Sequence, residues 1–245
     1  MEPTILFEDS DVLVIDKPSG VSMHGDGLRV TEGAPTIADW FVAKYPEVAG
    51  VGEPLELNDG RTVDRPGIVH RLDKGTSGLV VLAKNQNAYE HLKKQFHDRL
   101  SQKEYVAVVW GEMKNESGVV DYPIGRSVTD FRRRSAEKNA KPPLRDARTE
   151  YEVIARGGGF TLVRLRPKTG RMHQIRVHMK AIGHPLVGDG LYAPRRDAGA
   201  LGLNRLALHA EKLAITLPDG REQTFEAPLP GPLNRATFQG LWQEL

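Results

Sequence analysis

Gly67-Ile68-Val69-His70-Arg71-Leu72-Asp73-Lys74-Gly75-Thr76-Ser77-Gly78 runs without a break into Leu79-Val80-Val81-Leu82-Ala83-Lys84. From Gly78 onward the chain is a continuous apolar run of strand length, the pattern of a strand buried on both faces. The part before it has an apolar entry and a polar middle. Gly75 and Gly78 permit tight turns there, so it reads as a loop held by strands. Downstream, Leu92, Phe96 and Leu100 recur at i, i+4, i+8, which predicts a helix over 88–100 packed on that strand. Upstream, Ile5-Leu6-Phe7 and Val12-Leu13-Val14-Ile15 flank Glu8-Asp9-Ser10-Asp11, the chemistry of a hairpin turn.

Farther out, strand-like runs occupy 105–110, 118–122, 149–155, 160–166, 206–217 and 223–227. Short helices are predicted over 36–45, from Ile37, Trp40, Phe41 and Ala43, and over 170–182, from a stripe of Met172, Ile175 and Met179 stopped by Gly183 and Pro185. A closing helix is expected over 232–245, carrying Phe238, Leu241 and Trp242. The stretch after the first helix, to Pro66, and the polar stretch around Arg132 read as long loops. Strands outnumber helices and do not alternate with them. The expected class is therefore α+β, with a mixed, largely antiparallel sheet core and flanking helices and loops. At 245 residues the chain fits one domain over 1–245, with room for two subdomains.

Composition narrows the chemistry. Hydrophobic residues make up 39% and charged residues 27%, which sets aside collagen-like and coiled-coil classes. The absence of cysteine removes disulfides, thiolate nucleophiles and cysteine-based metal sites. No H-E-x-x-H or phosphate-binding loop occurs, and His173 and His178 stand five apart, a spacing that does not align two imidazoles on a helix face. No metal and no cofactor are expected. Gly188-Asp189-Gly190-Leu191-Tyr192-Ala193 fits the letters of a dinucleotide fingerprint, but it follows a helix end and meets Pro194, so its context fails. No signal-peptide pattern opens the chain and no apolar run reaches the length of a membrane helix, so a cytoplasmic location is expected.

The formal net charge of +2 hides an asymmetry. Residues 1–64 hold 13 acids against four bases, whereas 126–180 hold 15 bases against five acids. The basic stretch suits a polyanionic partner, and equally a solvated face. Asp73 is likewise open to two readings. It is either a turn cap paired with Arg71 and Lys74, or an ionised carboxylate poised to attack or stabilise an electron-poor centre. His24 and His209 read as structural.

The run His70 to Gly78, HRLDKGTSG, resembles the active-site signature of the RluA-type family of RNA pseudouridine synthases. Four further blocks follow the family's order: DKPSG at 16–20, KEY at 103–105, TGRMHQIRVH at 169–178 and GHPLVGDGLY at 183–192. The resemblance implies the pseudouridine synthase fold with a central RNA-binding cleft. It implies isomerisation of specific uridines in structured ribosomal or transfer RNA, by breaking the bond from ribose C1′ to N1 and rejoining through C5 without metal or cofactor.

By the same resemblance Asp73 is the catalyst, Tyr105 lies against the base, and Arg176 pairs with the catalytic aspartate. Arg71, with His70 and Thr76 beside it, holds the extruded nucleotide, and Ile175 packs beneath the uracil. Arg132, Arg133, Arg134 and Arg171 are expected to contact RNA, with Lys138, Lys141, Arg164, Arg166 and Lys168 as further phosphate contacts. Many relatives carry an S4-type RNA-binding domain ahead of the catalytic part; here DKPSG begins at residue 16, so none is expected. A monomer acting on RNA is the reading. The rivals are a non-catalytic RNA-binding module and an N-glycosidase that releases uracil.

Overall fold

In the computed structural model, Asp9 turns the first hairpin. Its carboxylate accepts the backbone N–H groups of Asp11 and Val12, both at 2.8 Å. The turn pairs β1 (Thr4–Glu8) with β2 (Val12–Lys17) antiparallel, as the alternation of apolar and turn residues requires. The structure describes residues 2–25, 35–57, 60–137, 140–197, 200–236 and 238. The expected helix over 36–45 is α1 (Ile37–Lys44), opened by a capping box between Thr36 and Asp39. The stretch read as a loop beyond it is not wholly irregular. It holds a short 3-10 turn at Pro46–Val48 and a two-stranded hairpin of β3 (Leu55–Glu56) and β4 (Thr62–Val63). Part of it, residues 58 and 59, lies outside the described residues, as do residues 26–34 of the acidic segment.

The chain divides into two units. The first comprises Met1–Gln102 with Lys212–Ala227, the second Lys103–Glu211 with Pro228–Leu245. In the first, β5 (Ser77–Ala83) is buried at every residue and pairs antiparallel with β2, Val14 opposite Val81. The helix predicted over 88–100 is α2 (Gln86–His97), capped by the Asn85 side chain on Ala88 N–H. It ends before Leu100, which is 65% exposed, because Arg99 takes a positive φ of 60° that breaks the helical path. Ala88, Tyr89 and Leu92 close over Val12, Val14, Leu79 and Val81 in one core cluster.

In the second unit, β6 (Gln102–Trp110), β7 (Ser117–Val120), β11 (Thr149–Gly157) and β12 (Phe160–Pro167) form an antiparallel run in the order β6-β12-β11-β7. Between β7 and β11 the chain makes a second, small sheet, β10-β8-β9, from β8 (Ile124–Arg126), β9 (Arg134–Ser135) and β10 (Lys141–Arg145). This corrects the reading of that stretch as an irregular loop. The helix expected over 170–182 is shorter, α3 (Gln174–Ala181). Met172 lies outside it and is 45% exposed, so only Ile175 and Met179 of the expected stripe face the core. β13 (Leu208–Thr216), from Lys212 onward, pairs antiparallel with β14 (Glu222–Glu226). Gly231–Leu233 forms a 3-10 turn, and Leu233 and Phe238 are buried. Of the expected closing helix, residues 237 and 239–245, including Leu241 and Trp242, lie outside the described residues.

Candidate active site

The candidate residues fall on both units. Asp73, Arg71, His70 and Thr76 belong to the first, and Tyr105, Arg132, Arg133, Arg134, Arg171, Ile175 and Arg176 to the second. Asp73 sits half-buried in a turn that its own carbonyl closes by accepting Thr76 N–H at 3.0 Å. The DKPSG block pins that turn. Gly20 N–H donates to Lys74 O at 2.7 Å and Ser19 Oγ to Gly75 O at 2.6 Å. Lys17, fully buried at the end of β2, donates from Nζ to the carbonyls of Pro18, Val21 and Lys74. A buried ammonium demands several acceptors, and here the backbone on both sides of the turn supplies them. Sequence reasoning gave Lys17 no role, because lysine at a strand end ordinarily reads as solvated.

The neighbours of Asp73 divide by duty. His70 Nε2 accepts Val81 N–H at 3.0 Å and its ring stacks on Phe96, centroids 4.4 Å apart, so the imidazole braces the loop against β5 and α2. Thr76 is 2% exposed. Arg71 is exposed and lies 3.3 Å from His24 Nε2. Gly67 opens the segment at φ 64°, and a Cβ there would meet the carbonyl oxygen of Ala83, so the close approach of loop to strand requires glycine.

In the second unit, α3 begins at His173, held at φ 58°. No side chain of that residue caps the helix; the buried Gln174 organises the entry instead. Its Oε1 accepts from Thr169 Oγ1 at 2.6 Å and Arg171 N at 3.0 Å, and its Nε2 donates to Arg148 O and Thr149 Oγ1. His178, one turn on, is fully buried between Thr149 Oγ1 and the Tyr122 carbonyl. Nε2–H donates to that carbonyl. Burial pushes its pKa below the ordinary 6.5. Below that pH the unfolded chain binds a proton that the folded chain refuses, so stability falls as pH drops through the 6–7 region. Denaturant midpoints measured between about pH 8 and 5 are expected to show this loss, and His178→Gln is expected to flatten it.

Arg176 projects from α3 to Asp189. Its Nε and Nη2 donate to Oδ2 and Oδ1, each at 2.8 Å, a bidentate pair in which the aspartate side chain is 0% and the arginine 11% exposed. Asp189 also accepts the N–H groups of Leu191 and Tyr192, both at 3.1 Å. The Tyr192 ring lies under the guanidinium at 5.0 Å. Gly188 sets Asp189 in place at φ 71°, where a Cβ would strike the carbonyl of Arg205. Tyr105, half-buried on β6 opposite Leu165, packs on the cluster that contains Ile175 and Met179, which ties its strand to α3. Ile175 itself is 6% exposed.

The basic residues separate into two groups. Arg164 and Arg166 both grip Glu104, at 2.8 and 2.7 Å, Arg166 also reaches Glu152, and Lys168 pairs with Glu150. These cross-strand pairs engage three of the cations expected to meet phosphate. Arg171 Nε donates to Asp146 O, and Arg132 and Arg133 both pair with Asp130. Arg126, Lys141 and Arg145 are exposed and form no ion pair among the described residues. Lys138 lies outside them. Among the described residues no cluster of three or more His, Asp or Glu side chains is placed to hold a metal ion.

The family model of RNA pseudouridylate synthase matches residues 11–181. The chain is 39% identical over 216 residues to the dual-specificity RNA pseudouridine synthase RluA of Yersinia pestis, covering 88% of this chain and 93% of that protein. It is 40% identical over 231 residues to the uncharacterized RNA pseudouridine synthase YlyB of Bacillus subtilis, covering 94% of this chain and 70% of the relative. Among solved structures, human RNA pseudouridylate synthase domain containing 1 superposes with a TM-score of 0.71 at 25% identity, over 96% of this chain and 86% of that one.

Proposed function

The chain belongs to the RNA pseudouridylate synthase family, and on that premise we propose that Asp73, Tyr105 and Arg176 convert specific uridines of structured ribosomal or transfer RNA to pseudouridine. What supports the choice of residues is the HRLD motif at 70–73 within a family match that spans 11–181. Asp73 supplies the carboxylate. Cleavage of the N1–C1′ bond builds positive charge on the sugar, and an ionised carboxylate stabilises it, as in glycoside hydrolysis. The base then turns, C5 bonds to C1′, the proton on C5 departs and N1 gains one, so the product is an isomer of the substrate.

Tyr105 offers a flat ring against the detached uracil and a phenol for the proton at C5. Arg176 holds the electrostatics of the site, and Asp189 fixes its fork. Arg71, exposed beside the turn, is the side chain suited to entering the RNA and keeping the nucleotide out of its stack. His70 and Thr76 support that loop from within, and Ile175 forms part of the floor.

No described helix is long and apolar enough to cross a membrane. A cytoplasmic monomer that finds its RNA through the basic residues left unpaired is the arrangement we propose. The test is incubation with RNA carrying 5-tritiated uridine, taken from cells lacking the gene. Tritium release with an intact RNA backbone and no soluble base is expected. Free uracil and abasic sites would instead establish an N-glycosidase, and binding without either product would establish a silent RNA-binding module.

A further inference from the structure

The turn joining β8 to β9 is built in detail around a side chain that touches none of its scaffolding. Asp130 accepts the backbone N–H of Arg132 at 3.0 Å and its Nε and Nη2 at 3.0 and 2.8 Å, and Arg133 Nε approaches at 3.3 Å. The Arg132 guanidinium holds the Asp130 pKa down to about 2, so the clamp stays charged across the working range. Arg133 N–H returns to Asp130 O at 3.0 Å, and Ser127 N–H to Arg133 O at 3.2 Å. Between the clamping residues stands Phe131, 87% exposed, more than any other large hydrophobic side chain described. A phenyl ring in water forgoes its hydrophobic burial, and the turn's hydrogen bonds do not use it.

The surroundings say what could cover the ring. Arg126, Lys141 and Arg145, all exposed on the same small sheet, make no ion pair among the described residues, and Arg132 is exposed beside it. An exposed aromatic ring on the turn of a sheet that carries unpaired guanidinium and ammonium groups suits a nucleobase flanked by phosphates, and repels a basic protein surface. The sheet is also fixed to α3. Ile124, Ala147, Val177 and Tyr192 share a core cluster, Tyr192 Oη accepts Arg134 N–H at 2.8 Å, and Lys180 pairs with Glu137. A contact made at this turn is therefore held rigidly against the helix that carries Arg176.

We propose that Phe131 is a stacking platform for one unpaired base of the RNA, with Arg126, Lys141 and Arg145 on the neighbouring phosphates. The inference rests on the reading of the chain as an RNA-modifying enzyme and adds the means by which it selects looped over paired RNA. Bases inside a duplex have both faces occupied, so only an unpaired one can be stacked.

The test compares an RNA hairpin having an unpaired loop with a blunt duplex of its stem, by direct titration of wild type, Phe131→Ala and Phe131→Trp. Phe131→Ala is expected to weaken hairpin binding about 10-fold, the size of one base–aromatic stack, and to leave duplex binding and the salt slope unchanged. Phe131→Trp is expected to keep hairpin affinity, with its added emission quenched by the loop. The exposed position makes the variants fold as wild type, which thermal melts verify. Equal hairpin affinity of wild type and Phe131→Ala, equal losses on both RNAs, or no binding of the hairpin by wild type overturns the proposal. Loss on the hairpin alone, in a protein that releases no tritium from any RNA, upholds the platform and removes the synthase reading instead.

Discussion

Asp73→Asn is expected to lower tritium release from 5-tritiated uridine RNA by about ten-thousand-fold or more, with RNA affinity and thermal midpoint close to wild type. The magnitude follows from removing the group that bears the bond-breaking step, which in other enzymes costs factors of this order. The fold is expected to survive because the turn is held by main-chain groups. Thr76 N–H bonds the carbonyl of residue 73, and Lys17, Ser19 and Gly20 bond the carbonyls of residues 74 and 75. An amide of nearly the same shape leaves those bonds in place but offers no negative charge to the sugar. Asp73→Glu is expected to fail almost as badly, since one added methylene displaces the oxygen by more than the tolerance of a near-attack geometry. Release within about 100-fold of wild type from Asp73→Asn, under single-turnover conditions, would remove the carboxylate from the chemistry.

Legibility in the sequence followed the range of the interactions. β5 was readable because Gly78 to Ala83 is apolar without interruption, and α2 because Leu92 and Phe96 recur at helical spacing. The small β10-β8-β9 sheet was not. Its third strand, Lys141-Pro142-Pro143-Leu144-Arg145, is exposed at every residue and rich in proline, so local preference opposes the state that pairing with β8 imposes. Leu100 and Met172 continued an apolar spacing past the helix ends, where backbone geometry at Arg99 and His173 decides instead.

Among site residues, HRLD was legible as a motif, while the partners that hold it were not. Lys17 reaches Lys74 across 57 positions of sequence. Arg164 and Arg166 meet Glu104 through a strand register that no local pattern announces. Asp189 sat within letters that matched a dinucleotide fingerprint, and the failed context of that motif concealed its bond to Arg176.

That bond supplies the second large effect. Arg176→Lys keeps a positive charge but, as a point charge on a flexible stem, cannot span both oxygens of Asp189. Asp189→Asn keeps the shape but turns an amide N–H toward a guanidinium N–H and removes the buried carboxylate that Arg176 grips, a loss of about 3–5 kcal/mol in stability. Each change breaks the bidentate pair that Gly188, Tyr192 and the N–H groups of residues 191 and 192 hold in one orientation. Each single variant is expected to lose about 100-fold in kcat, measured well below its own melting temperature, with little change in RNA affinity.

If the two residues act as one unit, the damage is done once. The double variant Arg176→Lys with Asp189→Asn is then expected to fall no lower than the worse single variant, giving a coupling energy close to one whole single-variant loss. Independent contributions would instead multiply to about 10,000-fold, and that product would mean that Asp189 acts on catalysis by a route other than Arg176. Comparing kcat with the melting temperature across the four proteins distinguishes the cases, because a purely structural aspartate moves the second and leaves the first, assayed on folded protein, where it was.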